Sequence, residues 1–117
     1  MSDITIYHNA RCSNSRGALE LLRERGIEPT IVDYIKEPLD AARLTAVVAR
    51  LGVPVRELMR SKEALYQELG LAAPERSDAE LIAAIAEHPV LLNRPIVVTP
   101  KGARLCRPPE LVLDLIA

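Results

Sequence analysis

A cysteine closes a short apolar run and stands at the head of a helical pattern: Ile4-Thr5-Ile6-Tyr7, then His8-Asn9-Ala10-Arg11-Cys12-Ser13-Asn14-Ser15-Arg16. A thiol in that place meets unpaired backbone N–H groups and the positive end of a helix dipole. Both favour the thiolate, which is the nucleophilic form, and a free cysteine pKa near ~8.5 falls to ~3.5–7.5 in such settings. Arg11, Arg16 and His8 add cationic or hydrogen-bonding neighbours. The competing use of a cysteine, as a small buried hydrophobe, fits poorly among Arg, Ser and Asn. His8 serves equally well as a thiol-tuning group or as a loop histidine satisfied by backbone. Arg16 has an alternative partner in Glu20, one helical turn on.

The spacing narrows the chemistry. A dithiol oxidoreductase places Cys-x-x-Cys after a strand, whereas this chain has Cys12-Ser13-Asn14-Ser15. Ser15 can donate a hydrogen bond to a thiolate but cannot form a disulfide, so an adduct on Cys12 needs a resolving thiol from elsewhere. Arg16 stands too close to Cys12 for the loop that wraps phosphate in a cysteine phosphatase. What remains is a monothiol in a loop suited to an oxyanion. The other cysteine, Cys106, ends an apolar strand pattern and reads as structural. His88 precedes a proline at a helix end and reads as a C-terminal cap. No His/Cys cluster has metal-ligand spacing, so no metal site is expected.

With 117 residues and 49% hydrophobic composition the chain is read as one domain (1–117) with an aliphatic core, since it has no Phe or Trp and three Tyr. A net charge of −1 and the absence of a basic tail argue against nucleic acid as a partner. Twelve Arg against three Lys leave a small anionic substrate open, because the guanidinium fork suits bidentate oxyanion binding. Asp3 follows the start at once, with no long apolar segment behind it. Runs such as Leu81 to Ala86 are far too short to span a membrane. The expectation is a cytoplasmic protein that does not engage membranes.

The elements that must position Cys12 follow from periodicity. Ile4 to Tyr7 reads as a strand, and Ser15 to Arg25 as a helix stopped by Gly26. Thr30 to Tyr34 alternates as a second strand, so a parallel β-α-β unit is expected. From Pro38 the pattern turns helical. Asp40 caps Ala41 to Leu51, which Gly52 ends; Pro54 opens Val55 to Met59; Glu63 to Leu69 is brief; and Ser77-x-x-Glu80 is a capping box for a helix to about Glu87. Pro95 to Thr99, a Pro100-Lys101-Gly102 turn and Ala103 to Cys106 form an antiparallel hairpin, followed by a helix from Glu110 to Ile116. That order is α/β and thioredoxin-like. It implies a four-stranded mixed β-sheet flanked by helices, with a helical insertion after strand two at about 38–93.

Along almost its whole length the chain resembles the glutaredoxin-linked arsenate reductases. The resemblance rests on Ile4 to Asn9, Cys12-x-x-Ser15-Arg16, Arg60, the block Asn93-Arg94-Pro95-Ile96-Val97-Val98-Thr99-Pro100, and Leu105-Cys106-Arg107-Pro108. It implies a catalytic Cys12 nucleophile, thiolate-tuning roles for His8 and Ser15, and an oxyanion site made by Arg60, Arg94 and Arg107. It also implies no bound cofactor, with glutathione as co-substrate and glutaredoxin as the partner that completes the reduction of arsenate to arsenite. A cis peptide bond is expected before Pro95, where thioredoxin-like folds begin the strand facing the cysteine. Ala10 and Ser13 replace the usual proline and glycine, and the ending at Ala117 resembles the short chromosomal branch. Two other readings compete. One is a redox regulator that binds RNA polymerase, a class that senses through Cys-x-x-Cys. The other is a monothiol glutathione-dependent thiol-transferase without arsenate activity.

Overall fold

Strand β1 (Thr5–His8) pairs on one side with β2 (Thr30–Asp33) in parallel and on the other with β3 (Ile96–Thr99) antiparallel; β4 (Gly102–Leu105) completes the order β2-β1-β3-β4. This mixed sheet, with its flanking helices, is the thioredoxin-like layout that the element order implied. The computed structural model describes residues 3–116. The chain clusters into two compact units, one comprising the chain up to Glu37 together with everything from Arg94 onward, the other Pro38–Asn93.

In the first unit, helix α1 (Ser13–Glu24) connects β1 to β2. It begins two residues earlier than the apolar periodicity indicated, because Cys12 takes the cap position and Ser13 and Asn14 enter the first turn. Ser15, Ala18, Leu19 and Leu22 form its buried face. The last three pack with Ile6, Val97, Cys106, Val112 and Leu115 in an aliphatic core. Ile6 and Val97 stand directly opposite each other across β1 and β3, while their neighbours Tyr7 and Ile96 form the next pair and face the opposite way. Gly26 ends α1 at φ +76°, so that its N–H reaches the Arg23 carbonyl and the Ile27 N–H the Leu22 carbonyl, each at 3.0 Å. Gly17, unusual inside a helix, has a packing cause. An alanine methyl there would come within 3.0 Å of the Pro109 side chain, which lies against α1.

The hairpin turns on Pro100 and Lys101, and Thr99 pairs with Gly102, so β4 starts one residue earlier than expected. The terminal segment is not one helix from Glu110. A 3₁₀ turn (Pro109–Val112) precedes a short α5 (Leu113–Ile116). Val112 and Leu115, three apart, are both buried, and Thr99 Oγ1 donates to the Leu115 carbonyl at 3.0 Å, which ties α5 to the sheet. The Arg94–Pro95 bond is cis, as expected, and the Arg107–Pro108 bond is cis as well.

The second unit is helical. Asp40 Oδ1 accepts from the Arg43 N–H at 2.8 Å to open α2 (Ala41–Leu51), and Gly52 closes it at φ +66°. Val55–Leu58 is a 3₁₀ turn, and α3 covers Ala64–Glu68. α4 (Asp78–Glu87) has the reciprocal Ser77–Glu80 capping box that the sequence spelled out, with His88 as its C-terminal cap residue. A further 3₁₀ turn, Pro89–Leu91, and a bridge between Met59 and Leu92 had no sequence signal. The segment between α3 and α4 is held by guanidinium groups. Arg56 donates to the carbonyls of Leu71 and Ala73 at 3.2 and 2.6 Å, and Arg76 to that of Leu69 at 2.9 Å.

Candidate active site

Cys12 is the N-cap residue of α1, with extended backbone angles. Asn9 shapes the loop that delivers it. The Asn9 carbonyl accepts from the Cys12 N–H at 2.9 Å, and its side-chain Oδ1 accepts from the Arg11 N–H at 3.0 Å. The Ser15 hydroxyl is fully buried and accepts from the Asn9 N–H at 3.3 Å, so its oxygen faces the loop backbone. Ser15 reaches the thiol through its own N–H instead.

The environment of the thiol decides its charge. Partial burial alone would push the Cys12 pKa up. The Ser15 N–H, a hydrogen bond from the Arg94 side chain, the Asn14 N–H and the positive charge of Arg94 outweigh that and leave it below the usual thiol value. The sulfur makes no close cap bond of the kind a serine hydroxyl would, yet it lies where the first N–H groups of α1 converge. Arg107 Nη1 stands 4.0 Å from Cys12 Sγ and also donates to the Arg94 carbonyl at 2.9 Å.

Topology brings these groups together. β3 runs antiparallel to β1, so its start lies at the end of β1 from which the cysteine loop departs. The pairing of Ile96 with Leu105, extended by the bond from Cys106 N–H to the Pro95 carbonyl at 2.8 Å, sets Arg107 beside Arg94 at that same end. Arg94 and Arg107 therefore both reach Cys12. Arg60 belongs to the other unit, where its Nη1 pairs with Glu63 Oε1 at 3.0 Å and its N–H donates to the Leu91 carbonyl at 2.7 Å.

His8 ends β1, is 8% exposed, and has no hydrogen-bond partner at Nδ1. Burial, aided by Arg23 and Arg16 against an opposing Asp33, lowers its pKa and holds the imidazole toward the neutral form. Arg16 does not pair with Glu20 among the described ion pairs; its Nη1 donates to the Ala10 carbonyl at 2.7 Å and so braces the loop. Cys106 lies in the core below α1, and burial pushes its thiol up to about 12. Sequence reasoning passed over Asn9, Asn14 and Tyr34. The available signal was position, since Tyr34 follows β2 at the carboxyl end of the parallel strand pair, where α/β sheets place ligands.

These environments predict a sharp difference between the two thiols. Thiolate is the reactive form, so a lowered pKa moves the alkylation midpoint of Cys12 below that of a free thiol, and a raised one removes Cys106 from the accessible range. Iodoacetamide titrated against pH should label Cys12 with a midpoint under ~8.5 and leave Cys106 unlabelled until denaturant is added. A Cys12 midpoint at the free-thiol value would remove the basis for a nucleophilic role.

Residues 7–115 match the model of the ArsC family, and the chain belongs to that family. Among curated relatives, the arsenate reductase of Rhizobium meliloti (strain 1021) is 52% identical over 113 residues, covering 97% of this chain and 81% of that protein. The uncharacterized protein YfgD of Escherichia coli (strain K12) is 50% identical over 114 residues, covering 97% of this chain and 96% of its own length. A solved structure titled arsenate reductase, from Vibrio cholerae, superposes with a TM-score of 0.93 at 46% identity over 96% of both chains.

Proposed function

We propose that this chain is an arsenate reductase in which the Cys12 thiolate attacks arsenic(V). The supporting observation is the meeting of Arg94 and Arg107 at a thiol seated on the N-terminus of α1. Guanidinium forks and helix N–H groups hold tetrahedral oxyanions and stabilise the charge that grows on them during displacement. Arg60 is proposed as the third oxyanion ligand. Ser15 acts on the thiol through its N–H. His8, kept toward neutrality, contributes as a polar wall beneath the loop and not as a cation.

In the first step the Cys12 sulfur forms a bond to arsenic and an arsenate oxygen leaves as water, its protons taken from solvent and substrate. Cys106 is buried and position 15 carries a hydroxyl, so neither can resolve the adduct. Glutathione fills that role by condensing on arsenic with loss of a second water. A glutaredoxin thiolate then attacks the glutathione sulfur, the As–S electron pair passes to arsenic, and a glutaredoxin–glutathione mixed disulfide forms. Hydroxide displaces arsenite and returns the Cys12 thiolate. The reducing cytoplasm supplies both thiols. Among the described residues no helix is long and apolar enough to cross a membrane.

The test is NADPH consumption in a coupled mixture of glutathione, glutathione reductase and glutaredoxin, with and without arsenate. Arsenate-dependent oxidation supports the proposal. Oxidation that needs a glutathione mixed disulfide and ignores arsenate would transfer the site to thiol-transferase chemistry. Absence of both, with capture of RNA polymerase, would favour the regulator.

A further inference from the structure

Tyr34 stands immediately after β2, where the pairing of His8 with Asp33 sets it level with Asn9 in the cysteine loop. It is 1% exposed, among the most buried large side chains of the molecule. Its hydroxyl oxygen accepts hydrogen bonds from the side chains of Asn9 and Arg94, and it lies close enough to Cys12 for the two groups to sense each other's charge. One phenol thus joins the residue that shapes the loop to the arginine that donates to the thiolate.

From this geometry we infer that Tyr34 is a positioning residue, which locks the Arg94 guanidinium against Cys12 and fixes the cysteine loop to the sheet. An arginine has many rotamers, and holding one of them before the anion arrives spares the ordering cost at binding. A buried phenol suits the task. Burial, countered in part by Arg94 and Asn9, keeps the Tyr34 pKa above its ordinary value, so the hydroxyl stays neutral and does not cancel the arginine's charge. Arg107 across the hairpin and Arg11 and Arg16 beside the loop are the other charged groups near the thiol; Tyr34 reaches the sulfur mainly through Arg94, which donates to it, and secondarily through Asn9, whose carbonyl accepts from the Cys12 N–H. The inference rests on the reading of Cys12 and Arg94 as reacting thiol and oxyanion ligand, but its first readout needs no substrate.

Tyr34→Phe keeps the ring and deletes the oxygen. In the full chain, the Cys12 alkylation midpoint should rise toward the free-thiol value, and the arsenate KM should increase about tenfold, the scale of a lost hydrogen bond to a charged group, with kcat changed less. In an Arg94→Ala background, Tyr34→Phe should move the midpoint much less than it does in the wild type, since the larger part of its effect passes through Arg94. An unchanged midpoint in Tyr34→Phe overturns the inference whatever happens to turnover, and so does a shift that persists undiminished without Arg94. Loss of cooperative thermal unfolding in Tyr34→Phe would also overturn it, by assigning the hydroxyl to the fold. If the wild type ignores arsenate while the midpoint behaves as stated, the proposed reaction fails and the positioning role stands.

Discussion

Cys12→Ser is expected to abolish arsenate-dependent NADPH oxidation and to leave the fold intact. A serine hydroxyl at the same place stays protonated where the thiol ionises, so the attacking pair on sulfur is lost and no As–S bond can form. The fold should not suffer, because serine is among the preferred N-cap residues and its smaller oxygen can make the close cap bond that the sulfur does not. The Tm of Cys12→Ser is expected at or above that of the wild type, which separates lost chemistry from lost structure. Cys106→Ala is the companion. It removes a fully buried group from the core under α1 and should lower stability by about 1–2 kcal/mol through lost burial and packing. Turnover at a temperature where the variant is folded should be close to normal. Residual activity in Cys12→Ser would exclude it as the nucleophile, and loss of activity in folded Cys106→Ala would point to an internal disulfide.

Arg94→Ala and Arg107→Ala should each reduce arsenate kcat/KM by roughly ~10²-fold or more, the cost of removing a donor from an oxyanion site. Two cations held at one thiolate are mutually repulsive, and a bound anion offsets that repulsion; a purely structural reason for bringing them together is hard to find. The two variants should differ in character. Arg94 donates to the thiol, so Arg94→Ala should raise the Cys12 alkylation midpoint as well as the arsenate KM. Arg107 is 4.0 Å from the sulfur and bonded to the Arg94 carbonyl, so its loss should weigh on anion binding with a smaller effect on the thiol. Arg107→Lys should not restore full activity, since an ammonium cannot present the planar fork. If both alanine variants consume arsenate normally, the oxyanion reading falls and the thiol-regulator reading takes its place.

Much of the scaffold was legible because local chemistry dictates it. The Asp40 cap, the Ser77–Glu80 box, the Gly26 and Gly52 stops and the alternating strands each depend on residues a few positions apart, and each appears where its residues stand. Boundaries were less legible where tertiary packing competes. The start of α1 moved to Ser13 because a cysteine took the cap, and the terminal helix divided because Val112 and Leu115 had to reach the core. At the site, sequence alone marked Cys12 as a thiol without a Cys-x-x-Cys partner, since residue type and spacing determine that, whereas the burial of Cys106 was decided by the fold. It could not say that Ser15 reaches the thiol by its N–H while its hydroxyl faces Asn9, or that Tyr34 binds Arg94. Those contacts join positions far apart in the chain, and they exist because β2, β3 and β4 all bring one end to the place where β1 ends. Backbone propensities along a segment decide what that segment becomes; strand pairing, set by burial of the aliphatic face shared by Ile6 and Val97, decides which side chains meet.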